Sequence, residues 1–279
     1  MTAPRNRPPK APLTGAFLFW AAIAVLAPIP TATAARGLAD TPPAQVDFVI
    51  DGDTLVLTDR RHVRLIGINA PELAHTCHAD TRAPVRDKDC TPTREEPLAQ
   101  EARQRLQSLV AKKSITLVTG EDDHDHYGRL LAHLRLADGT DPEEALLQQG
   151  LASVIAIPPN LDRLARYQAI EARARAEHRG LWGVAYFTPL SADRLSPDQT
   201  GYRFIQGRIS RIGRSRQYVY LDLGPRLSIM VAHADWERYF SVRPESLRDR
   251  NIEARGWITQ YDGKLRLRLR HPAMLRTTQ

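Results

Sequence analysis

Beyond residue 27 the chain has no long apolar run, so nothing past its start offers a membrane-spanning helix. It has no heptad array and no repeat of solenoid period, which excludes a coiled coil and a stacked-repeat architecture. Cysteine is scarce. Cys77 and Cys90 fall in a polar segment with His75 and His78, and this spacing fits no standard zinc finger. Acidic residues are thin at one end: residues 200–279 hold sixteen Lys and Arg against seven Asp and Glu, while 35–199 is net acidic. The formal charge of +7 therefore belongs to the C-terminal part, where long-range attraction for a polyanion would arise.

What the chain does have at its start is the order of a secretory signal. Arg5, Arg7 and Lys10 precede an apolar run over residues 13–27, then Pro28 and Pro30, then Ala32-Thr33-Ala34. This predicts a signal peptide over 1–34, a flexible lead over 35–45, and an exported, periplasmic or secreted product with no stable membrane insertion. An uncleaved anchor is the competing reading. Export favours a Cys77–Cys90 disulfide over a zinc site, because an oxidising compartment preserves such a bridge.

The 279-residue chain is long enough for two modest domains, and its twenty prolines and sixteen glycines predict many turns. Three short β-rich segments, 46–50, 54–58 and 62–67, read as a meander. A helix is expected over 94–111, with Leu98, Ala102, Leu106 and Leu109 at spacings of three and four. Strands follow over 114–119 and 130–136, and a short helix over 142–149. A longer helix over 160–178 is expected to be capped by Asn160, with Leu161, Ala165, Ala169, Ala172 and Ala176 on its inner face. After a linker at 188–200 come strands at 202–212, 217–223 and 227–232, a helix at 234–240, and strands at 251–259 and 265–269. Five strands with a helix between the third and fourth predict a small barrel of the OB type over 201–279.

The chemistry centres on Asp51-Gly52-Asp53. A period-two backbone sends both carboxylates to one side, where a divalent cation would relieve their repulsion; an Asp-Gly hairpin turn is the plainer alternative. Phosphodiester hydrolysis asks for such a cation, fixed guanidinium groups and a carboxylate beside the attacking water. Arg64, Glu72 and Arg129 supply those types. Each also has an ordinary reading, as a solvated strand arginine, a helix cap, and a partner of the acidic 121–125 run respectively.

The motifs Val49-Ile50-Asp51-Gly52-Asp53-Thr54, residues 63–72 ending Asn69-Ala70-Pro71-Glu72, Asp125-His126-Tyr127-Gly128-Arg129, Gln149-Gly150-Leu151-Ala152 and Arg179-Gly180-Leu181-Trp182 occur in an order that resembles the staphylococcal nuclease family. The resemblance covers about 46 to 183. It implies an OB barrel carrying three helices over 46–187, so the expected fold is α+β and mainly β, with the second barrel following. It also implies one Ca²⁺ held by Asp51, Asp53, Asn69 and the Ala70 carbonyl, Arg64 and Arg129 on the phosphate, Glu72 as general base or water-orienting group, and Tyr127 against substrate. Two departures stand out: Asn69 replaces a third metal-side aspartate, and Ala156 replaces a tyrosine beside the phosphate.

In the second barrel, Lys264-Leu265-Arg266-Leu267-Arg268-Leu269-Arg270 alternates strictly, which predicts leucines inside and a cationic row outside. Arg266 and Arg268 are the candidate nucleic-acid contacts; charge protection of an edge strand is the alternative. The expected whole is a monomeric, exported, calcium-dependent nuclease acting on DNA, with RNA as a second substrate class, or else a nucleic-acid-binding protein with weakened catalysis.

Overall fold

The computed structural model describes residues 43–74 and 94–278. The expected signal peptide, most of the lead, and the Cys77–Cys90 pair with His75 and His78 lie outside the described residues. Among the described residues no helix is long and apolar enough to cross a membrane.

The chain opens with strands β1 (Ala44–Val49), β2 (Thr54–Leu57), β3 (His62–Leu65) and the two-residue β4 (Ile68–Asn69). Helix α1 (Ala99–Val110), β5 (Ser114–His124), β6 (Leu130–Leu136), α2 (Pro142–Gln148), the short β7 (Ser153–Val154) and α3 (Leu164–Ala176) follow. The strands close a barrel in the order β1-β2-β3-β6-β5, with β3 and β6 parallel. Leu55, Leu57, Val63, Leu65, Leu117 and Leu134 fill it. β1 begins inside the segment expected to be a lead, because Ala44 and Gln45 pair with Ile115 and Ser114. β5 runs on through the acidic residues 121–123, past the expected end of the strand at 119.

Two helix expectations need correction. Asn160 caps nothing: its amide brackets the backbone of Asp122, accepting from the N–H at 3.0 Å and donating to the carbonyl at 2.8 Å. The helix accordingly starts at Leu164. Its buried face is Tyr167, Glu171 and Ala174, while Ala165, Ala169, Ala172 and Ala176 are exposed. A carboxylate at an inner position disguised the face, and it is tolerated there because an arginine from elsewhere pairs with it.

The second half contains β8 (Leu190–Ser191), β9 (Gly201–Arg214), β10 (Tyr218–Leu223), β11 (Leu227–Ala232), α4 (His233–Tyr239), β12 (Asn251–Tyr261), β13 (Lys264–Leu269) and β14 (Leu275–Thr278). β9, β10, β11, β13 and β12 form a ring closed by the β12–β9 pairing, again with the third and fifth strands parallel. Both barrels therefore have the strand order of the OB fold. Leu265, Leu267 and Leu269 point inward as their alternation predicts. The segment read as a linker is partly structured, since Leu190 and Ser191 pair in parallel with Ile205 and Gln206.

The barrels have separate hydrophobic cores but belong to one compact unit. Ile155 and Ala156 of the first half belong to the second core, and the Ala156 N–H meets Met274 Sδ at 3.2 Å. A large side chain at position 156 would have to enter the second barrel, which is a packing reason for alanine there. Across the same boundary, Arg255 of β12 makes a two-pronged pair with Glu171 of α3, at 2.7 and 2.8 Å. Glu253 takes both Arg175, at 2.7 Å, and Arg276, at 2.6 Å.

Candidate active site

Gly52 explains how the Asp-Gly-Asp turn is seated. A Cβ there would lie 2.6 Å from the Cβ atoms of both Ala70 and Ala102, so α1 and the end of β4 close directly onto the turn. The turn is buried beneath a helix; it is not a solvent-facing hairpin tip. Asp51 accepts the Asp53 N–H at 2.9 Å. Asp53 is held harder: its Oδ2 accepts from the Ala70 N–H at 2.7 Å, its Oδ1 from the Thr54 hydroxyl at 3.0 Å, and Arg64 Nη2 lies 3.1 Å from Oδ2.

Arg64 extends from β3 over this turn. Its Nη1 donates to the carbonyls of Leu65, at 2.8 Å, and Ile68, at 2.9 Å, and Nη2 donates to Asn69 Oδ1 at 3.2 Å. Asn69 passes its own Nδ2 hydrogen to the Ala70 carbonyl at 3.3 Å. Asn69 thus stands beside the aspartates with its amide bonded to Arg64 and to the Ala70 carbonyl, while the Ala70 N–H is held by Asp53.

Arg129 lies just before β6. Asp125 grips it twice, accepting the backbone N–H at 2.9 Å and Nε at 2.7 Å, and neither Nη has an ion pair or hydrogen bond among the described residues. Its guanidinium sits 5.3 Å from the Tyr127 ring centroid. The ordinary reading, that Arg129 pairs with the acidic run, is met at Asp125, which holds Nε while the two Nη groups stay open.

Glu72 is fixed through its backbone. Its N–H donates to Glu96 Oε2 at 3.1 Å and its carbonyl accepts the Glu96 N–H at 2.9 Å. Glu96 Oε1 in turn accepts from Arg203 of β9 at 3.0 Å, so the second barrel reaches the Glu72 backbone through one carboxylate. Sequence reasoning missed Glu96, and its separation of 24 residues from Glu72 offers no local signal.

These groups converge. Asp51, Asp53, Arg64, Glu72, Tyr127 and Arg129 all line one cleft of about 780 Å³. Burial, then repulsion from Asp53 and Glu72, raises the Asp51 carboxyl well above the ordinary range. Burial and the charge of Asp53 push Glu72 up to about 7, with Arg64 opposing. Negative charge is crowded here beyond what the two arginines neutralise. A divalent cation fits that imbalance, with Asp51 and Asp53 as its carboxylate ligands. Among the described residues no three His, Cys, Asp or Glu side chains gather as a ready-made metal cluster, and the Asn69 amide oxygen faces Arg64.

Residues 62–184 match the family model described as staphylococcal nuclease homologue. The matched stretch runs from β3 through α3 and does not include β1, β2 or the Asp51-Gly52-Asp53 turn. Named relatives align with about half of the chain. Endonuclease YhcR of Bacillus subtilis is 29% identical over 144 residues, 49% of this chain and 11% of that protein. The SPbeta prophage-derived endonuclease YokF of the same organism is 30% identical over 142 residues, covering 49% of this chain and 43% of its own length. The thermonuclease of Staphylococcus hyicus is 26% identical over 137 residues, 48% of this chain and 72% of that protein. The chain spans less than half the length of the two Bacillus proteins.

The cleft has a second wall. Trp257 and Thr259 of β12 and Arg270 just after β13 line it opposite the first barrel. Arg266 and Arg268 do not line it; they lie on the same outward face of the second barrel, Arg266 with its guanidinium 4.2 Å from the Tyr261 ring centroid.

Proposed function

We propose that this protein is an exported, metal-dependent nuclease, using calcium, that hydrolyses phosphodiester bonds of DNA, with RNA as a second substrate class. The observation that carries the reading is the convergence of Asp51, Asp53, Arg64, Glu72 and Arg129 on one cleft from four separate stretches of chain. Export rests on the signal-like order of residues 1–34.

In this reading the open Nη pair of Arg129 binds two phosphoryl oxygens in its planar fork and gains strength as charge develops on them. Arg64 adds a second guanidinium beside Asp53. The Glu72 carboxylate orients the attacking water and takes its proton. A cation at Asp51 and Asp53 would supply further neutralisation of the phosphate charge. The second barrel binds the flanking nucleic acid, because it carries the net positive charge of the chain.

A second reading is favoured by one observation: Arg64 is already committed to Asp53, Asn69 and two carbonyls, as it would be in a binder with weak catalysis. Incubating the purified protein with plasmid and single-stranded DNA, in Ca²⁺ or in chelator, separates the two. Calcium-dependent degradation lost in Glu72→Ala supports the enzyme; gel retardation with no cutting at any metal concentration supports the binder.

A further inference from the structure

The two walls of the cleft differ in chemistry. One carries the carboxylates and guanidinium groups described above. The other carries an apolar patch, Ile155 and Ile157 of the first half and Trp257 of the second barrel, with Thr259 and Arg270 beside it. Large apolar side chains left open to solvent are uncommon on a well-packed protein, and three of them meet here: Trp257 is 41% exposed, Ile157 45% and Tyr127 45%. The Trp257 indole is not loose. It is carried by the middle of β12, paired in register with Tyr202 of β9, and the Tyr202 ring meets it edge to face at 5.1 Å between centroids. Tyr202 is itself tied to the first half, where the Ser153 hydroxyl lies 3.4 Å from its own.

We infer that Trp257 is a nucleobase-stacking residue, and that it makes the cleft selective for an unpaired nucleotide next to the scissile phosphate. The inference rests on the nuclease reading for the position of that phosphate. A phosphodiester bound at Arg129 carries a nucleoside on each side, and within a 780 Å³ cleft the apolar patch is where a base can escape water. A rigid indole face suits a base of any identity, because every base has a π-face. In a duplex both faces of a base are covered by its neighbours, so only an unpaired or flipped base reaches the indole. Beyond Trp257 the same outward face of β12 and β13 presents Tyr261, Arg268 and Arg266, with Arg270 at the cleft edge. An aromatic residue and three cations in line continue the path of a single strand leaving the site.

The test uses the full chain with Trp257→Ala and Trp257→Phe, and a short DNA of one sequence offered single-stranded and as duplex, with the matching RNA. Trp257→Ala is expected to lower the ratio of single-stranded to duplex kcat/KM roughly ten- to a hundredfold, and Trp257→Phe to restore most of it. Equal losses on both forms, or none, would overturn the inference. A second readout needs no cutting: in a Glu72→Gln background, single-stranded oligothymidylate should quench tryptophan fluorescence, and adding Trp257→Phe should abolish the quench. Quenching at Trp257 in a wild-type protein that cuts neither DNA nor RNA sinks the nuclease reading alone. Cutting that is indifferent to Trp257, with quenching unchanged by Trp257→Phe, sinks this inference alone.

Discussion

In the first barrel, Asp51, Asp53 and Glu72 crowd like charge into a half-buried cleft until burial and repulsion lift the Asp51 and Glu72 carboxyls, whereas the second barrel spends much of its charge on pairs. Arg208, Arg211 and Arg214 each meet an acid, Asp249, Asp222 and Glu245, and Arg255 is neutralised by Glu171 across the boundary. One strand order thus serves two electrostatic purposes. The teaching is that net charge by itself does not say where a polyanion goes: seven of the fifteen arginines in 200–279 have an ion pair among the described residues, and the exposed cations without one include Arg216, Arg238, Arg243, Arg248 and Arg250 as well as Arg268 of β13. A cleft that leaves carboxylates under-neutralised is poised for chemistry, while a barrel that pairs about half of its arginines is held together by them and still presents cations to solvent.

The sharpest way to break this contrast is to remove charge from the cleft. Arg129→Ala is expected to lower kcat on DNA by about 10²–10³, because the fork aimed at the developing phosphate charge is lost. Arg129→Lys should rescue little of it, since an ammonium lacks the bidentate geometry. Steady-state kinetics with a fluorogenic oligonucleotide reads both. If Arg129→Ala keeps wild-type turnover, the first barrel is not where the chemistry happens.

Next in size is the boundary. Arg255→Ala leaves Glu171 buried without its partner, and Glu171 also accepts the Val154 N–H at 2.6 Å, so the loss reaches β7 and its partner β4, which carries Asn69. Breaking one side of a buried pair typically costs about 3–5 kcal/mol. Urea unfolding followed by tryptophan fluorescence should show that loss. A second transition, absent in the wild type, would indicate that this pair is what makes the two barrels unfold as one.

A smaller effect tests the interior of the first barrel. Burial opposes a charge on His133, but hydrogen bonds with Asp162 and Glu143, together with the Glu143 charge, outweigh it and raise the His133 pKa. Tyr167 OH at 3.1 Å and the nearby Arg163 complete its surroundings. A raised folded-state pKa contributes stability that is full below the unfolded value of about 6.5 and is lost as pH rises through the folded value. The difference in Tm between wild type and His133→Gln should therefore be larger at pH 5.5 than at pH 8.5. A constant difference would mean that the imidazole acts by packing alone.

The smallest effect belongs to the outer cations. Arg266→Gln with Arg268→Gln should leave folding unchanged and reduce the salt slope of single-strand binding by about 1.4, roughly 0.7 for each phosphate contact. An unchanged slope in fluorescence anisotropy titrations would reduce β13 to a charge-protected strand.

Much of the fold was legible because its signals are local. Strands β6, β10 and β11 lie within a residue of their expected bounds, since alternation over six or seven residues is a property of the strand itself. The errors share one cause, contacts made at a distance. The inner face of α3 was misread because Glu171 is buried by an arginine 84 positions away, and Asn160 was taken for a cap because its real partner, Asp122, lies 38 positions back. Strands β4, β7 and β8, of two residues each, are too short to carry a period of their own, and β14, Leu-Arg-Thr-Thr, has a single apolar residue and no alternation to show.

The same division holds at the site. By itself the sequence determined which groups could do the chemistry, because carboxylates and guanidinium groups in Asp51-Gly52-Asp53, Arg64, Glu72 and Arg129 carry it in their side chains. Only the tertiary structure decided what faces them. It set Gly52 under α1, turned Asn69 toward Arg64, ran a line from Arg203 through Glu96 to the Glu72 backbone, and brought Trp257 to the opposite wall of the cleft. The last two placements depend on the two barrels packing against each other and the first on α1 closing over the turn, long-range outcomes of burial and charge pairing that no local pattern in the chain records.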